Sequence, residues 1–207
     1  MTTTGVLQGS SAIDRVFGAV LDPQTWRNLL YLLISFPLGT LYFVVLVTLF
    51  SAGVSLLIVF IGIPILILMC VLLAGFAQIE RHLLRRLLGA VLPEPPPFRN
   101  PPGLVDLMMA WLKRAETWKA LVYALLHFPF GIASFVLVVT LLPLSLVLLT
   151  APLTYTLVPL NVFATTITSF DQAVFCSSAG AILGLFSLHF LNFWAGAWRR
   201  IGGALLS

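Results

Sequence analysis

The sequence predicts an all-α membrane protein: four transmembrane helices forming two tandem hairpins, each with a short amphipathic interfacial helix. Three observations predict it. Sixty per cent of the 207 residues are hydrophobic and 9% are charged, which is more apolar surface than a soluble domain of this size hides in its own core. Residues 29–79 contain no Lys, Arg, Asp, Glu or His, and the runs 128–170 and 172–198, parted by Asp171, carry no charge beyond His189. One crossing takes roughly 20 apolar residues, so the first run must cross, turn and return. Third, the stretch TWRNLLYLLISFPLG at 25–39 is written again as TWKALVYALLHFPFG at 117–131.

Residues 1–11 (MTTTGVLQGSS) lack the charged start, apolar middle and cleavage site of a secretory signal and are expected to be a flexible tail. The first repeat is predicted over 12–92. It opens with an amphipathic piece (Ile13, Val16, Phe17, Val20, Leu21), is capped by Asp22 before Pro23, and supplies spans at about 29–50 and 54–79. Its tip has two candidates, 51–55 around Gly53 or 61–64 around Gly62 and Pro64. The charge symmetry of the flanks favours 51–55, which makes Pro64 a kink. From Glu80 the chain is expected to leave the membrane on an arginine face, Arg81, Arg85 and Arg86, matched at the other end by Arg199 and Arg200. Such a face meets anionic headgroups at roughly 1 kcal/mol per basic residue.

Residues 93–103 are a proline-rich linker (PEPPPFRNPP at 93–102) that cannot be helical. The second repeat, 104–207, begins with a helix whose apolar stripe is Leu104, Leu107, Met108, Trp111, Ala115 and Trp118. Spans follow at about 121–150 and 177–198, separated by a long outer loop, 151–176. An offset of 92 aligns the two openings, and an offset of 118 aligns RHLLRRLLG at 81–89 with RRIGGALLS at 199–207. Trp26, Trp111, Trp118 and Trp198 are expected to anchor spans at the headgroup level. Pro37 with Gly39, and Pro129 with Gly131, fall near the bilayer middle. A proline there is tolerated where a neighbouring helix packs closely, so the two pairs are predicted to kink and pack the halves against each other.

All eleven Lys and Arg residues lie before, between or after the two apolar pairs, none at a hairpin tip. The positive-inside rule therefore places both termini and the segment 80–119 in the cytoplasm, with both hairpin tips outside. The net charge of +4 is a topology signal and not a nucleic-acid footprint. Cys70 and Cys176 read as two small buried hydrophobes.

No phosphate loop, nucleophile elbow or metal motif is present, so neither catalytic nor metal-ligating residues are expected, and no cofactor. Within the spans the ionisable residues are His127 and His189. Each imidazole is expected to bond a neighbouring hydroxyl or carbonyl; the alternative is a haem held axially by the pair. On the outer loop, Asp171, Gln172, Asn161 and Tyr155 are candidate ligand-binding residues; otherwise Asp171 with Ser169 simply caps the last helix.

The doubled T-W-x-x-L-x-Y-x-L-x-x-F-P-x-G, the I-G-I-P-I-L at 61–66 and the E-R-x-L-x-R-x-L-L-G at 80–89 resemble the sensor domain found at the N-terminus of many bacterial two-component histidine kinases. That resemblance, over about residues 20–207, implies a four-helix module that passes a signal from the envelope to a cytoplasmic output. The chain stops at Ser207 without a kinase part, so the signal is expected to pass to a separate protein partner, a kinase, regulator or larger complex. The alternative is a small accessory subunit of a redox or transport complex. A lipid-handling enzyme or transporter would need intramembrane acids, which the spans do not offer by sequence.

The topology makes a direct prediction. In a chain lacking its native thiols, a cysteine placed at Arg86 should react with an impermeant maleimide from the cytoplasmic face only, whereas labelling from outside would invert the orientation.

Overall fold

A computed structural model describes residues 20, 22–93, 103–155, 161–162, 165–166 and 169–206. The elements are α1 (Pro23–Ser55), a 3-10 turn (Leu56–Val59), α2 (Gly62–Leu87), α3 (Leu104–Lys113), α4 (Ala115–Leu149), α5 (Ala151–Thr154), β1 (Asn161–Val162), β2 (Thr165–Thr166) and α6 (Phe170–Leu205). The two strands pair antiparallel, two residues each. Among these elements α1 with the turn, α2, α4 and α6 are long and apolar enough to cross a membrane, and each keeps most of its apolar surface outward. The protein is a multi-pass, all-α membrane protein. The tail at 1–11, the amphipathic piece apart from Val20, and most of the linker at 93–103 lie outside the described residues.

Backbone groups in hydrocarbon must bond within their own segment, and the elements accordingly run longer than the apolar periodicity suggests. The first hairpin does not turn at 51–55. The helix continues through Ser55 and the chain reverses over Leu56–Ile61, where Phe60 takes the left-handed conformation (φ 59°) and its N–H reaches the Leu57 carbonyl. Both suspected turn glycines are used, but as packing surfaces: a Cβ on Gly53 would meet the Leu66 side chain, and one on Gly62 would strike the Gly53 carbonyl. Pro64 sits in the first turn of α2, where its missing N–H has no intrahelical partner to lose, so it is a helix start and not a kink. The outer loop is also shorter than 151–176, because α5 forms at once and α6 starts at Phe170. Near that start, Ser169 accepts the Gln172 N–H at its hydroxyl and the Ala173 N–H at its carbonyl.

The chain divides into two compact units, Arg27–Val138 with Phe193–Ser207, and Val139–Asn192 with the residues up to Trp26. In the second of these, α4 and α6 pack through small residues. Gly180 lies against the backbone of Leu148 and Leu149, Ser177 Oγ donates to the Leu149 carbonyl at 2.9 Å, and Gly184 faces Ser145. Asn192 donates to Thr25 Oγ1 at 2.8 Å. Small residues do this work in lipid, where burying an apolar side chain gains little and close backbone approach gains dispersion.

In the larger unit, α1 crosses α4 at the two glycines of the Pro-x-Gly steps. A Cβ on Gly39 would come within 2.7 Å of the His127 carbonyl, and one on Gly131 within 2.5 Å of the Ser35 carbonyl. Residues 35 and 127, like 39 and 131, differ by the 92-residue offset, so the contact is reciprocal. The flanking rings obey the same rule: Phe36 stacks on Phe135 at 4.9 Å, and Phe43 on Phe128 at 4.4 Å. Both helices run on unbroken through their prolines. A core of Tyr42, Leu46, Met69, Cys70, Leu73, Ala120 and Ala124 lies to one side, with Tyr42 stacked on Phe76 at 4.5 Å.

The tryptophans divide. Trp26 and Trp118 are exposed and each donates its indole N–H six residues back, to the carbonyls of Val20 (3.1 Å) and Leu112 (2.8 Å), again positions 92 apart. Trp111 is half-buried against α2. Trp198 is no interface anchor: it is 3% exposed and stacks on Phe130 at 3.9 Å. The amphipathic segment 104–118 is two helices, interrupted by extended backbone at Arg114. Leu107, Met108 and Trp111 are half-buried, while Val105, Met109 and Leu112 form a second, exposed apolar stripe.

Gly39→Ala and Gly131→Ala should each lower the melting temperature in detergent, by the equivalent of about 1–3 kcal/mol. Gly75→Ala and Gly196→Ala, where an added Cβ meets nothing within 4 Å, should be neutral or stabilise by up to about 1 kcal/mol.

Candidate functional site

The sequence placed Glu80 with the cytoplasmic charges. The structure buries it completely, because it occupies the inward face of α2 that also carries Leu73 and Leu84, seven residues before it and four after. A buried carboxylate is tolerated when hydrogen bonds and an opposite charge replace its water. Here the donors are phenols: Tyr31 of α1 and Tyr123 of α4 both donate to Glu80 Oε1, the latter at 2.9 Å, and the two hydroxyl oxygens lie 3.4 Å apart. Trp198 of α6 donates its indole N–H to the Tyr123 hydroxyl at 3.0 Å. Hydrogen bonds from α1 and α4, and from α6 through Tyr123, therefore converge on one acid of α2.

His127 completes the cluster. Its Nδ1 lies 3.9 Å from Glu80 Oε1, too far for a hydrogen bond yet close enough for a strong ionic interaction when the imidazole is protonated. Neither ring nitrogen has a hydrogen-bond partner among the described residues, nor has Glu80 Oε2. Tyr31, Tyr42, Tyr123, Phe130 and Trp198 wall the imidazole with ring centroids 5.5 to 6.4 Å away. His189 belongs to the other unit and is exposed, its Nδ1 shared with the Leu185 carbonyl at 2.9 Å. The two histidines differ in burial and in neighbours. No group of three or more His, Cys, Asp or Glu residues able to hold a metal occurs among the described residues.

Glu80 Oε2 and the two His127 ring nitrogens are the buried polar atoms that the cluster itself leaves without a hydrogen bond among the described residues. It carries no activated nucleophile. The outer-loop candidates are not assembled into a site: Asp171 and Gln172 are exposed at the start of α6, Tyr155 packs its ring near Phe170 (6.3 Å), and Asn161 lies in β1. The arginine face is partly engaged: Arg81 donates from Nε and Nη2 to the Leu206 carbonyl (2.9 and 2.7 Å), Arg85 to that of Leu92 (2.5 Å) and Arg199 to that of Leu88 (3.2 Å). Arg200 is exposed, as is Arg86.

Sequence reasoning missed Glu80, Tyr31, Tyr123 and Trp198 as a group. A signal was present. Tyr31 and Tyr123 occupy matching places in the stretches at 25–39 and 117–131, and a phenol within an apolar run requires an acceptor inside the membrane. Glu80 and Trp198 correspond at the offset of 118.

Residues 4–49 and 31–206 match the model of the family described as Putative sensor. No curated protein and no solved structure matches the chain.

Tyr31→Phe and Tyr123→Phe should each cost about 1.5–3 kcal/mol of stability, the range for hydrogen bonds to a charged group. Because both serve one oxygen, the double variant should cost less or more than the sum by at least about 0.5 kcal/mol, measurable as a double-mutant cycle in detergent melts.

Proposed function

The chain belongs to the Putative sensor family, and from that premise we propose that it is a non-enzymatic sensor and signal-transducing module of the bacterial inner membrane, with cytoplasmic termini, that hands its signal to a separate protein partner. The observation that carries this reading is the buried Glu80 cluster. An ionisable group inside a membrane is costly and marks function by default, and this one is bonded, directly or through Tyr123, to α1, α4 and α6. A change in its proton count or hydration alters the hydrogen bonding of four helices together, which is what a two-state element needs if it is to bias both faces of a membrane.

The contacts repeated at the 92-residue offset support a further element of the reading: the halves descend from one hairpin, inserted twice in the same sense, and the α1–α4 crossing is their internal near-two-fold interface. The pair Glu80 and Trp198 is where that symmetry is broken. A symmetric pair of acids would place two like charges in one dry site.

The partner is expected on the basic cytoplasmic surface, where Arg86 and Arg200 are exposed.

Glu80→Gln, which keeps the shape and removes the charge, should leave the protein folded in the membrane but fix the partner's output, read as phosphorylation or transcription, at one extreme. An output that responds normally in that variant would refute the reading, and so would isolation of the chain as a fixed-stoichiometry subunit of a redox or transport complex, which is the accessory alternative.

A further inference from the structure

A second feature lies outside the Glu80 cluster. Beneath α3, walled by α2, α4 and the end of α6, is a cleft of about 150 Å³. A cavity of that size accommodates a single ring or a short alkyl segment. Its chemistry changes from one end to the other. Cys70, Leu73 and Ala77 of α2 give an apolar floor, whereas Arg81, Arg114 and Thr117 bring two guanidinium groups and a hydroxyl. The Thr117 oxygen is buried and has no hydrogen-bond partner among the described residues. Glu116 offsets part of the positive charge, 3.4 Å from Arg114 Nε, and the balance remains cationic.

The surroundings identify the occupant. α3 exposes the apolar stripe Val105, Met109 and Leu112 and carries Lys113 in its last turn, the pattern of a helix lying in the headgroup layer. The cleft beneath it therefore opens at the depth where amphiphiles hold their polar heads. An apolar floor of Cys70, Leu73, Ala74 and Ala77 favours carbon, and a cationic mouth with a free hydroxyl favours an anionic head.

The same arginine has another task. Arg81 holds the carboxy-terminal end of α6 by donating two N–H groups to the Leu206 carbonyl, and Leu205 and Leu206 themselves line the cleft. A carboxylate or phosphate can take a guanidinium bidentately and with opposite charge, which a neutral carbonyl cannot, so an anion in the mouth competes with the tether.

We propose that the cleft under α3 binds the anionic head and first carbons of an alkyl-chain amphiphile, and that binding draws Arg81 from the Leu206 carbonyl and frees the end of α6. Such chemistry comes from two sources, a free fatty acid or an anionic phospholipid of the inner leaflet. The ligand site stands apart from the Glu80 reading. Release of α6 deepens the sensor function, and it rests on that function for its consequence.

The test uses the full chain in phosphatidylcholine nanodiscs, with laurate added, with phosphatidylglycerol mixed in, or with neither, and bound adducts read by native mass spectrometry. A laurate adduct alone identifies the fatty acid, a phosphatidylglycerol adduct alone the membrane lipid, and both together the shared head chemistry. Ala77→Phe, which fills the floor, should abolish the adduct, and Arg81→Gln should weaken binding about tenfold or more. Thr117→Val should weaken it less and leave the ligand-free melting temperature unchanged. No adduct in the unaltered chain, or an adduct indifferent to Ala77→Phe and Arg81→Gln, overturns the site. Hydrogen exchange then tests the coupling: amides of residues 200–206 should exchange several-fold faster with the ligand bound. Binding without that acceleration overturns the release of α6 while leaving the site standing. Neither result depends on an output from Glu80, so failure here and failure of the sensor reading are separately visible.

Discussion

A carboxylate with no water must find its donors inside the protein, and the larger unit is organised around that need. Glu80 lies on an inward face of α2, so the helices that surround it have to bring hydroxyl and indole groups to the same point. Tyr31 and Tyr123 do so from equivalent positions of α1 and α4, and Trp198 reaches the cluster from α6 through Tyr123. Their convergence requires α1 and α4 to cross closely, which the glycines at 39 and 131 permit by letting each backbone touch the other. Polar demand and close packing thus specify one another. In lipid, hydrogen bonds and close packing replace the apolar burial that drives a soluble fold.

The near-symmetry of the crossing sharpens its energetic logic. Contacts at 35, 36, 39 and 43 are returned at 127, 128, 131 and 135, so a single favourable geometry is exploited twice. The polar centre departs from that symmetry: at the 92-residue offset Ser35, whose hydroxyl bonds its own helix at the Tyr31 carbonyl, corresponds to His127, and at the 118-residue offset Glu80 corresponds to Trp198. One carboxyl group and one imidazole therefore meet at this centre, 3.9 Å apart.

The arginines illustrate how a charged surface becomes structural. Arg81 and Arg199 hold carbonyls at the ends of α6 and α2, satisfying acceptors that helix termini leave open. Basic side chains at those ends also suit the helix dipole. Basic residues that flank the apolar spans consequently close the helix ends in the folded state.

The amino-acid pattern by itself determined the membrane class and the four apolar spans, since both depend on one-dimensional quantities: length of apolar runs and position of charges. It also placed Asp22 and Ser169 at helix starts, because capping is local. It placed the first turn at 51–55 on the charge symmetry of the flanks, whereas the chain reverses over Leu56–Ile61, because Gly53 and Gly62 serve as packing surfaces on either side of the reversal. It could not assign Glu80 or Trp198 to the interior. Next to an arginine run a carboxylate reads as solvated, and next to an apolar run a tryptophan reads as an interfacial anchor. Only the tertiary structure decided both, because burial of a side chain at a span's end depends on which neighbouring helix offers a donor, an acceptor or a ring, and that is set by contacts between residues as far apart as 31, 80, 123 and 198.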